Sequence, residues 1–314
     1  MPALPPLIKP SSLKPGATIG VIAPSKWSPP DDLAAGKAVL EAAGYRVIIG
    51  ATNAPLDTPF AGLPQQRAKE LHAFFADPTI DAIFCARGGY SAFKVVEHLD
   101  FELISAHPKI FIGFSDIIHL LHAITAKTGL ITFHGPMLYT FRDGVELRSF
   151  DHMTGVLSGA VLATELSSYP GTQVLRSGTG SGPLWGGNLS ILMSLMGTAR
   201  QLQTEGRLLF IEDVHEPLHK LETMLQQLRA SGLLSGITGL MVGEMTDIPE
   251  EPLPFGYGLR EVILSACDGL DIPIIMGSPI GHGDTILTLP MGLNTRLEAA
   301  PDHASLHFLE SPVK

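Results

Sequence analysis

Ser115 stands in the segment KIFIGFSDIIHLLHA, where an apolar run ending in Gly-Phe-Ser passes at once into a helical pattern. A serine at such a junction has the form of a nucleophile elbow. The sharp turn exposes Oγ above the sheet and aims the first N–H groups of the helix at the place where an oxyanion would form. The fit is incomplete, because two places on stands Ile117 rather than glycine. A serine before a helix is also an ordinary N-cap, and spacing alone leaves both readings open.

A serine nucleophile needs a base, and histidine is the usual one because its pKa lies near working pH. Twelve histidines compete. His119 and His122 follow Ser115 by about one and two helical turns, a spacing that suits a surface or core stripe better than a reach back to Oγ. His134, in FHGPM, ends a strand and is placed to line a site. His282, in SPIGHGD, lies between two glycines, which let a short loop approach a partner surface closely; a plain surface turn is the alternative. The base in turn needs a carboxylate to orient it. Glu212 and Asp213 close the apolar strand RLLFIED, and either one can face the site while the other caps or is solvated.

Metal chemistry is the main rival, since His134, Glu212, His282 and Asp284 can all ligate. Yet no HExxH, no close histidine pair and no carboxylate cluster has ligand spacing, so neither a metal nor another cofactor is expected. The two cysteines, Cys85 and Cys267, each sit in an apolar run without a second ligand nearby. They are expected to pack as small hydrophobes.

The elements that must position these residues follow from periodicity. In the first half short apolar runs alternate with helical patterns, the signature of βαβ units and a parallel sheet. The strands are TIGVIAPS, YRVIIG, IDAIFCARGGY, KIFIGFS and GLITFHGPM. The helices are DDLAAGKAVLEAAG, capped by Asp31 or Asp32 and closed by Gly44, then LPQQRAKELHAFFADP and DIIHLLHAITAKTG. Strands apolar throughout belong to sheets covered on both faces, so functional groups belong at their carboxyl ends. Pro24-Ser25, Arg87-Gly88-Gly89 and Ser115-Asp116 all fall there. From about 141 to 182 the pattern weakens, and LRSGTGSGPL reads as linker, which puts the domain join near residue 165. Residues 1–165 then form a Rossmann-like α/β domain and 166–314 a smaller α/β domain.

Composition narrows the partners. The net charge of −10 and the absence of a basic run exclude the footprint of a nucleic-acid binder. No apolar stretch approaches the ~20 residues of a membrane helix, and the start of the chain does not read as a signal peptide, so a cytoplasmic protein is expected.

Together these segments resemble the LD-carboxypeptidase family of serine peptidases, which includes muramoyltetrapeptide carboxypeptidases and microcin C immunity peptidases. The matching segments are VIAPS, ARGGY at 86–90, GFSD at 113–116, HGP at 134–136, GGNL at 186–189, FIEDVHEP at 210–217, GHG at 281–283 and LPMG at 289–292. They occur in family order over nearly the whole chain. Where family members often carry Tyr and Arg after the ED motif, this chain has VHEPLHKLETML, with Leu218, Lys220 and Glu222. That departure touches substrate contacts, not the triad.

The resemblance implies a Ser115-Glu212-His282 triad, with Glu212 rather than Asp213 as the orienter and the active site in a cleft between the two domains. It implies an oxyanion hole from the backbone N–H groups of Gly89 and Asp116, no cofactor, and a homodimer. The implied reaction releases the C-terminal D-alanine of muropeptide tetrapeptides in peptidoglycan recycling. Arg87, His134 and Asn188 are candidate substrate contacts, Arg87 for the terminal carboxylate, with an ion pair that braces the turn as its alternative. A second reading within the family is a peptidase acting on a peptidyl- or aminoacyl-nucleotide toxin. A third, outside enzymes, is a two-domain binding protein for a small ligand.

Overall fold

Runs such as TIGVI and AIFC carry no polar alternation, and both become strands buried along their whole length. In the computed structural model, which describes residues 5–53, 60–250 and 252–314, the chain divides into two compact units. One comprises Met1–Val161, Leu287–Gly292 and Ser311–Lys314, and the other Leu162–Ile286 and Leu293–Glu310.

The first unit runs β1 (Thr18–Ile22), α1 (Pro30–Ala42), β2 (Arg46–Ile49), α2 (Pro64–Ala76), β3 (Ala82–Cys85), α3 (Ala92–Val96), α4 (Phe101–Ala106), β4 (Ile110–Gly113), α5 (Ile118–Thr128), β5 (Thr132–His134) and α6 (Leu147–Ser158). The sheet order is β2-β1-β3-β4-β5, all parallel, with the later strand Leu289–Met291 added antiparallel to β5. A single cut near residue 165 makes no provision for that returning strand. The order reverses direction between β1 and β3, the switch point where doubly wound sheets bind ligands beyond their carboxyl ends. Pro24-Ser25 follows β1, Arg87-Gly88-Gly89 follows β3 and Ser115 follows β4 by two residues.

Helix starts differ in detail from expectation. Pro29 is the N-cap of α1, Pro30 opens it, and Asp31 and Asp32 occupy its first turn, where they favour the positive end of the dipole instead of capping it.

The second unit contains β6 (Ala163–Glu165), β7 (Gln173–Arg176), β8 (Gly178–Asn188), α7 (Leu189–Ser194), β9 (Leu208–Val214), α8 (Leu218–Ala230), β10 (Gly239–Thr246), α9 (Leu259–Ala266) and β11 (Ile274–Ser278), after which the chain supplies β12 (Leu289–Met291) to the first unit. It closes with β13 (Asn294–Ala300) and β14 (His303–Phe308). Eight strands form one sheet in the order β6-β14-β13-β8-β9-β10-β11-β7.

The linker reading of 141–182 is overturned here. Helix α6 and strands β6 and β7 lie within it, and LRSGTGSGPL leads into β8, the longest strand of the chain's described residues. The glycines mark close backbone approach instead of slack. A Cβ on Gly180 would lie 2.0 Å from the Thr238 carbonyl oxygen, on Gly182 2.2 Å from that of Gly206, and on Gly186 1.8 Å from that of Phe210. Strand β8 pairs antiparallel with β13 along Gly178–Pro183 and parallel with β9 along Leu184–Asn188, which sets Asn188 opposite Glu212.

Candidate active site

Residues Gly113-Phe114-Ser115 leave β4 and enter a single 3₁₀ turn, Ser115–Ile117, that runs into α5. Ser115 has φ +61°, in the left-handed region that a non-glycine residue occupies only at a cost of about 1–3 kcal/mol. An N-cap serine has extended backbone and accepts a hydrogen bond from the first turn. Ser115 does neither: the residue at the cap position is Phe114, without a side-chain cap bond. The strained turn is the geometry of an elbow.

Glycine is required on both sides of this serine. A Cβ on Gly88 would lie 2.9 Å from the Ser115 Cβ and 3.0 Å from its Oγ. One on Gly113 would meet Ile117 at 2.9 Å and Cys85 at 3.1 Å. The Gly88-Gly89 turn therefore packs directly on the serine, with Gly89 at φ +134°.

Arg87 precedes that turn. Its guanidinium carbon lies 4.3 Å from the Tyr139 ring centre, a cation–π contact. Among the described residues it pairs with no carboxylate, and its Nε is buried without an acceptor. His134, at the end of β5, is fully buried, 5.8 Å from the ring of Phe114. His119 and His122 are buried on α5.

The other implied residues lie in the second unit. Glu212, on β9, has 0% exposure, and its Oε2 lies 2.7 Å from Nδ1 of His282. The glycines around His282 make this contact possible. Gly281 has φ +112°, and a Cβ there would lie 2.3 Å from Glu212 Oε2. A Cβ on Gly283 would fall 1.6 Å from an oxygen of Glu244. Burial disfavours charge on both partners. It pushes the Glu212 carboxyl up from its ordinary value, although His282 pulls it back. For His282 burial alone would lower the pKa, but the hydrogen bond and charge of Glu212 outweigh it, and the imidazole is raised. With Nδ1 held on the carboxylate, the ring presents Nε2 as its other nitrogen, the division of labour in a base with an orienter.

Asp213 serves a different purpose. Its carboxylate accepts from the Asn188 side chain at 3.0 Å, from the Ser190 N–H at 2.8 Å and from the Ser190 hydroxyl at 3.1 Å. Asn188 in turn caps α7, accepting from Ile191 N–H at 3.2 Å, and is 5% exposed. Position in a strand could not tell the two neighbouring carboxylates apart; the fold assigns one to a histidine and one to a helix start.

Sequence reasoning missed the side-chain surroundings of Asp116. It is 2% exposed and bonded to Ser25 and to the backbone of Ala92, partners up to 91 residues away.

The chain matches the LD-carboxypeptidase N-terminal domain over residues 19–135 and the LD-carboxypeptidase C-terminal domain over residues 181–297. It is 36% identical to the "Probable murein peptide carboxypeptidase" of Bacillus subtilis (strain 168), over 93% of this chain and 92% of that one. It is 28% identical to the "Microcin C7 self-immunity protein MccF" of Escherichia coli, over 90% and 91%. Among solved structures, the muramoyltetrapeptide carboxypeptidase from Oxalobacter formigenes superposes with a TM-score of 0.82 at 28% identity, over 92% of this chain and 98% of that one. Two domain matches in order, and this identity over nearly the full length, show that the chain belongs to the LD-carboxypeptidase family.

Proposed function

We propose that this protein is a serine carboxypeptidase that hydrolyses the L-D peptide bond of muropeptide tetrapeptides and releases their C-terminal D-alanine, with Ser115 as nucleophile, His282 as base and Glu212 as its orienter. The observation that carries this reading is the backbone of Ser115, bent to φ +61° without a capping bond in a chain of this family.

In the reaction, Ser115 Oγ attacks the carbonyl carbon of the L-configured residue while His282 Nε2 takes its proton. The N–H groups of Gly89 and Asp116 hold the oxyanion. The C–N bond then breaks as His282 returns the proton to the amine of the departing D-alanine. Water, deprotonated by His282, cleaves the acyl-enzyme and restores the serine. Glu212 keeps the imidazole in the tautomer whose Nε2 accepts a proton, and offsets the imidazolium charge in a buried setting. Arg87, without a carboxylate partner of its own among the described residues, takes the substrate's terminal carboxylate. The relatives' names support the muropeptide as substrate, and cell-wall recycling would place the work in the cytoplasm. The protein acts as a homodimer, which light scattering tests.

Mass spectrometry of a muropeptide mixture before and after incubation tests the reaction. The expected result is loss of one D-alanine from tetrapeptides and from nothing else, and at least ~10⁴-fold slower loss with Ser115→Ala. Hydrolysis of an aminoacyl sulfamoyl adenylate with no action on muropeptides would replace this reading by the toxin-directed one. Against that alternative stands Trp185, 2% exposed beneath the guanidinium of Arg207 at 4.4 Å, where no nucleobase can stack on it.

A further inference from the structure

The residue after the nucleophile carries a carboxylate that the proposed reaction does not use. Asp116 is nearly fully buried, and placing a charge there is costly unless its partners repay it. Its Oδ2 accepts the hydroxyl of Ser25, from the turn after β1, and the N–H of Ala92 at 2.8 Å, from the end of the glycine turn after β3. The same Ser25 hydroxyl lies 3.2 Å from the carbonyl oxygen of Tyr90. Behind them Arg67, 2% exposed, donates through Nη1 to the carbonyl oxygens of Pro24 at 2.9 Å and Ser25 at 3.1 Å and to the Ser91 hydroxyl at 3.0 Å. Ser91, four positions after Arg87, sits at φ +87°, a second strained non-glycine residue in addition to Ser115. On the other side, His119 Nε2 lies 3.9 Å from Oδ1.

These bonds join three strand ends that meet at the switch point of the sheet. The glycine turn is fixed at both margins: Gly88 rests on Ser115, whereas Tyr90, Ser91 and Ala92 are held by Ser25, Arg67 and Asp116. Gly89, between them, packs on Lys26, whose Cβ would lie 2.7 Å from a Cβ at that glycine. Helix α3, which begins at Ala92, has only five residues, too few for its own hydrogen bonds to fix the turn before it.

We propose that the Asp116 carboxylate, with Ser25 and Arg67, is a positioning clamp that fixes the Gly88–Ala92 turn against the Ser115 elbow, so that the N–H groups of Gly89 and Asp116 stay converged on the developing oxyanion. The inference rests on the oxyanion assignment made above. One residue then serves two ends: its backbone supplies a donor, and its side chain locks the segment that supplies the other. Donors fixed before the reaction act on the transition state and leave substrate binding nearly unchanged, so the clamp belongs to kcat rather than to KM. Burial raises the Asp116 carboxyl from its ordinary value, while Ser25, Ala92 and Arg67 hold it down.

The test compares wild type, Asp116→Asn and Ser25→Ala in D-alanine release from a disaccharide tetrapeptide. Asp116→Asn is expected to lower kcat ~10- to 100-fold with KM within ~3-fold, and Ser25→Ala to lower it less, ~3- to 10-fold. Affinity for a stem-tripeptide analogue with a boronic acid in place of its terminal carboxyl should fall in step with kcat, while affinity for the tripeptide product stays. Unchanged kcat, or a parallel loss of product and boronate affinity, overturns the clamp. Should the wild type release no D-alanine, the function fails and the clamp is judged separately by amide hydrogen exchange. There both variants are expected to speed exchange across Gly88–Ala92 while β1 and β4 keep their protection, and equal exchange in that turn overturns the proposal. Ser25→Ala keeps the question open to decision if Asp116→Asn fails to fold.

Discussion

The Ser115 turn and the Glu212–His282 pair both rely on glycines that leave no room for a Cβ, but they differ in what acts on the group itself. Around the serine the work is done by backbone: a positive φ, and glycines at 88 and 113 that leave no room for a Cβ. Around the histidine it is done by charge: a fully buried carboxylate at 2.7 Å that raises the imidazole against the pull of burial. The difference suits the roles proposed for the two groups. A nucleophile has to be bare, so its surroundings are shaped by steric exclusion. A base has to hold one proton and accept another, so its surroundings are shaped by a fixed partner. Substitutions near Ser115 should therefore act through geometry at every pH, and those near His282 through protonation.

The largest effect that separates the two regions is expected from Glu212→Gln. The change is nearly isosteric, yet it removes the charge and the tautomer control, and turnover should fall ~10³- to 10⁴-fold. Asp213→Asn, which chiefly disturbs the start of α7 and removes a weaker charge effect on His282, should cost far less. The sign of the pH effect follows from the raised imidazole. His282 must be neutral to accept a proton, so the acid limb of kcat/KM in wild type should have its midpoint above the ordinary histidine value of about 6.5. In Glu212→Gln burial is opposed only by the charge of Asp213, and the midpoint should move down. A limb that stays in place when the charge is removed would mean that another group is being titrated. The assay is a pH profile of D-alanine release for the two enzymes.

Gly88→Ala probes the other region. A methyl group 3.0 Å from Oγ must push either the turn or the serine aside, and a displacement approaching 1 Å is expected to lower kcat ~10²-fold. Because no charge is touched, the acid limb should keep its midpoint. If Gly88→Ala shifted the limb as Glu212→Gln does, the contrast between the regions would fail.

The two regions were also unequally legible in the sequence. Strand ends, glycines and residue types singled out Ser115, Arg87-Gly88-Gly89 and His282 as candidates, because apolar runs and glycines are local signals. The sign of φ at Ser115 was not legible, since an N-cap and an elbow share the same spacing. Nor did position on a strand end choose between Glu212 and Asp213; the family resemblance favoured Glu212, and the pairing of β9 beside β8 with the return of the GHG loop sets that residue against His282. The glycine-rich run at 175–184 misled for a related reason. Glycine there answers backbone packed within about 2 Å of where a Cβ would sit, and nothing in a single sequence distinguishes that from a flexible linker. The bonds of Asp116 stayed hidden because their partners lie up to 91 residues away, at no characteristic spacing.

The smallest effect, and the one that refines the comparison, is expected at Arg87. This residue belongs to the serine region by position but to the logic of charge by chemistry. In a chain of net charge −10 a substrate carboxylate needs a cation not already spent on a carboxylate of the protein, and Arg87 has the Tyr139 ring beside it at 4.3 Å and no carboxylate partner among the described residues. Arg87→Met keeps the stem that packs on Tyr139 and removes the charge and the planar fork, so KM for a tetrapeptide should rise ~10-fold with kcat changed less. Amidating the terminal carboxylate supplies the matching change in the substrate. Wild type should discriminate against the amide, and Arg87→Met should treat acid and amide alike, because the pair has then lost the same interaction from both sides. Equal discrimination in the two enzymes would leave Arg87 as a brace for the glycine turn and assign the carboxylate to another group.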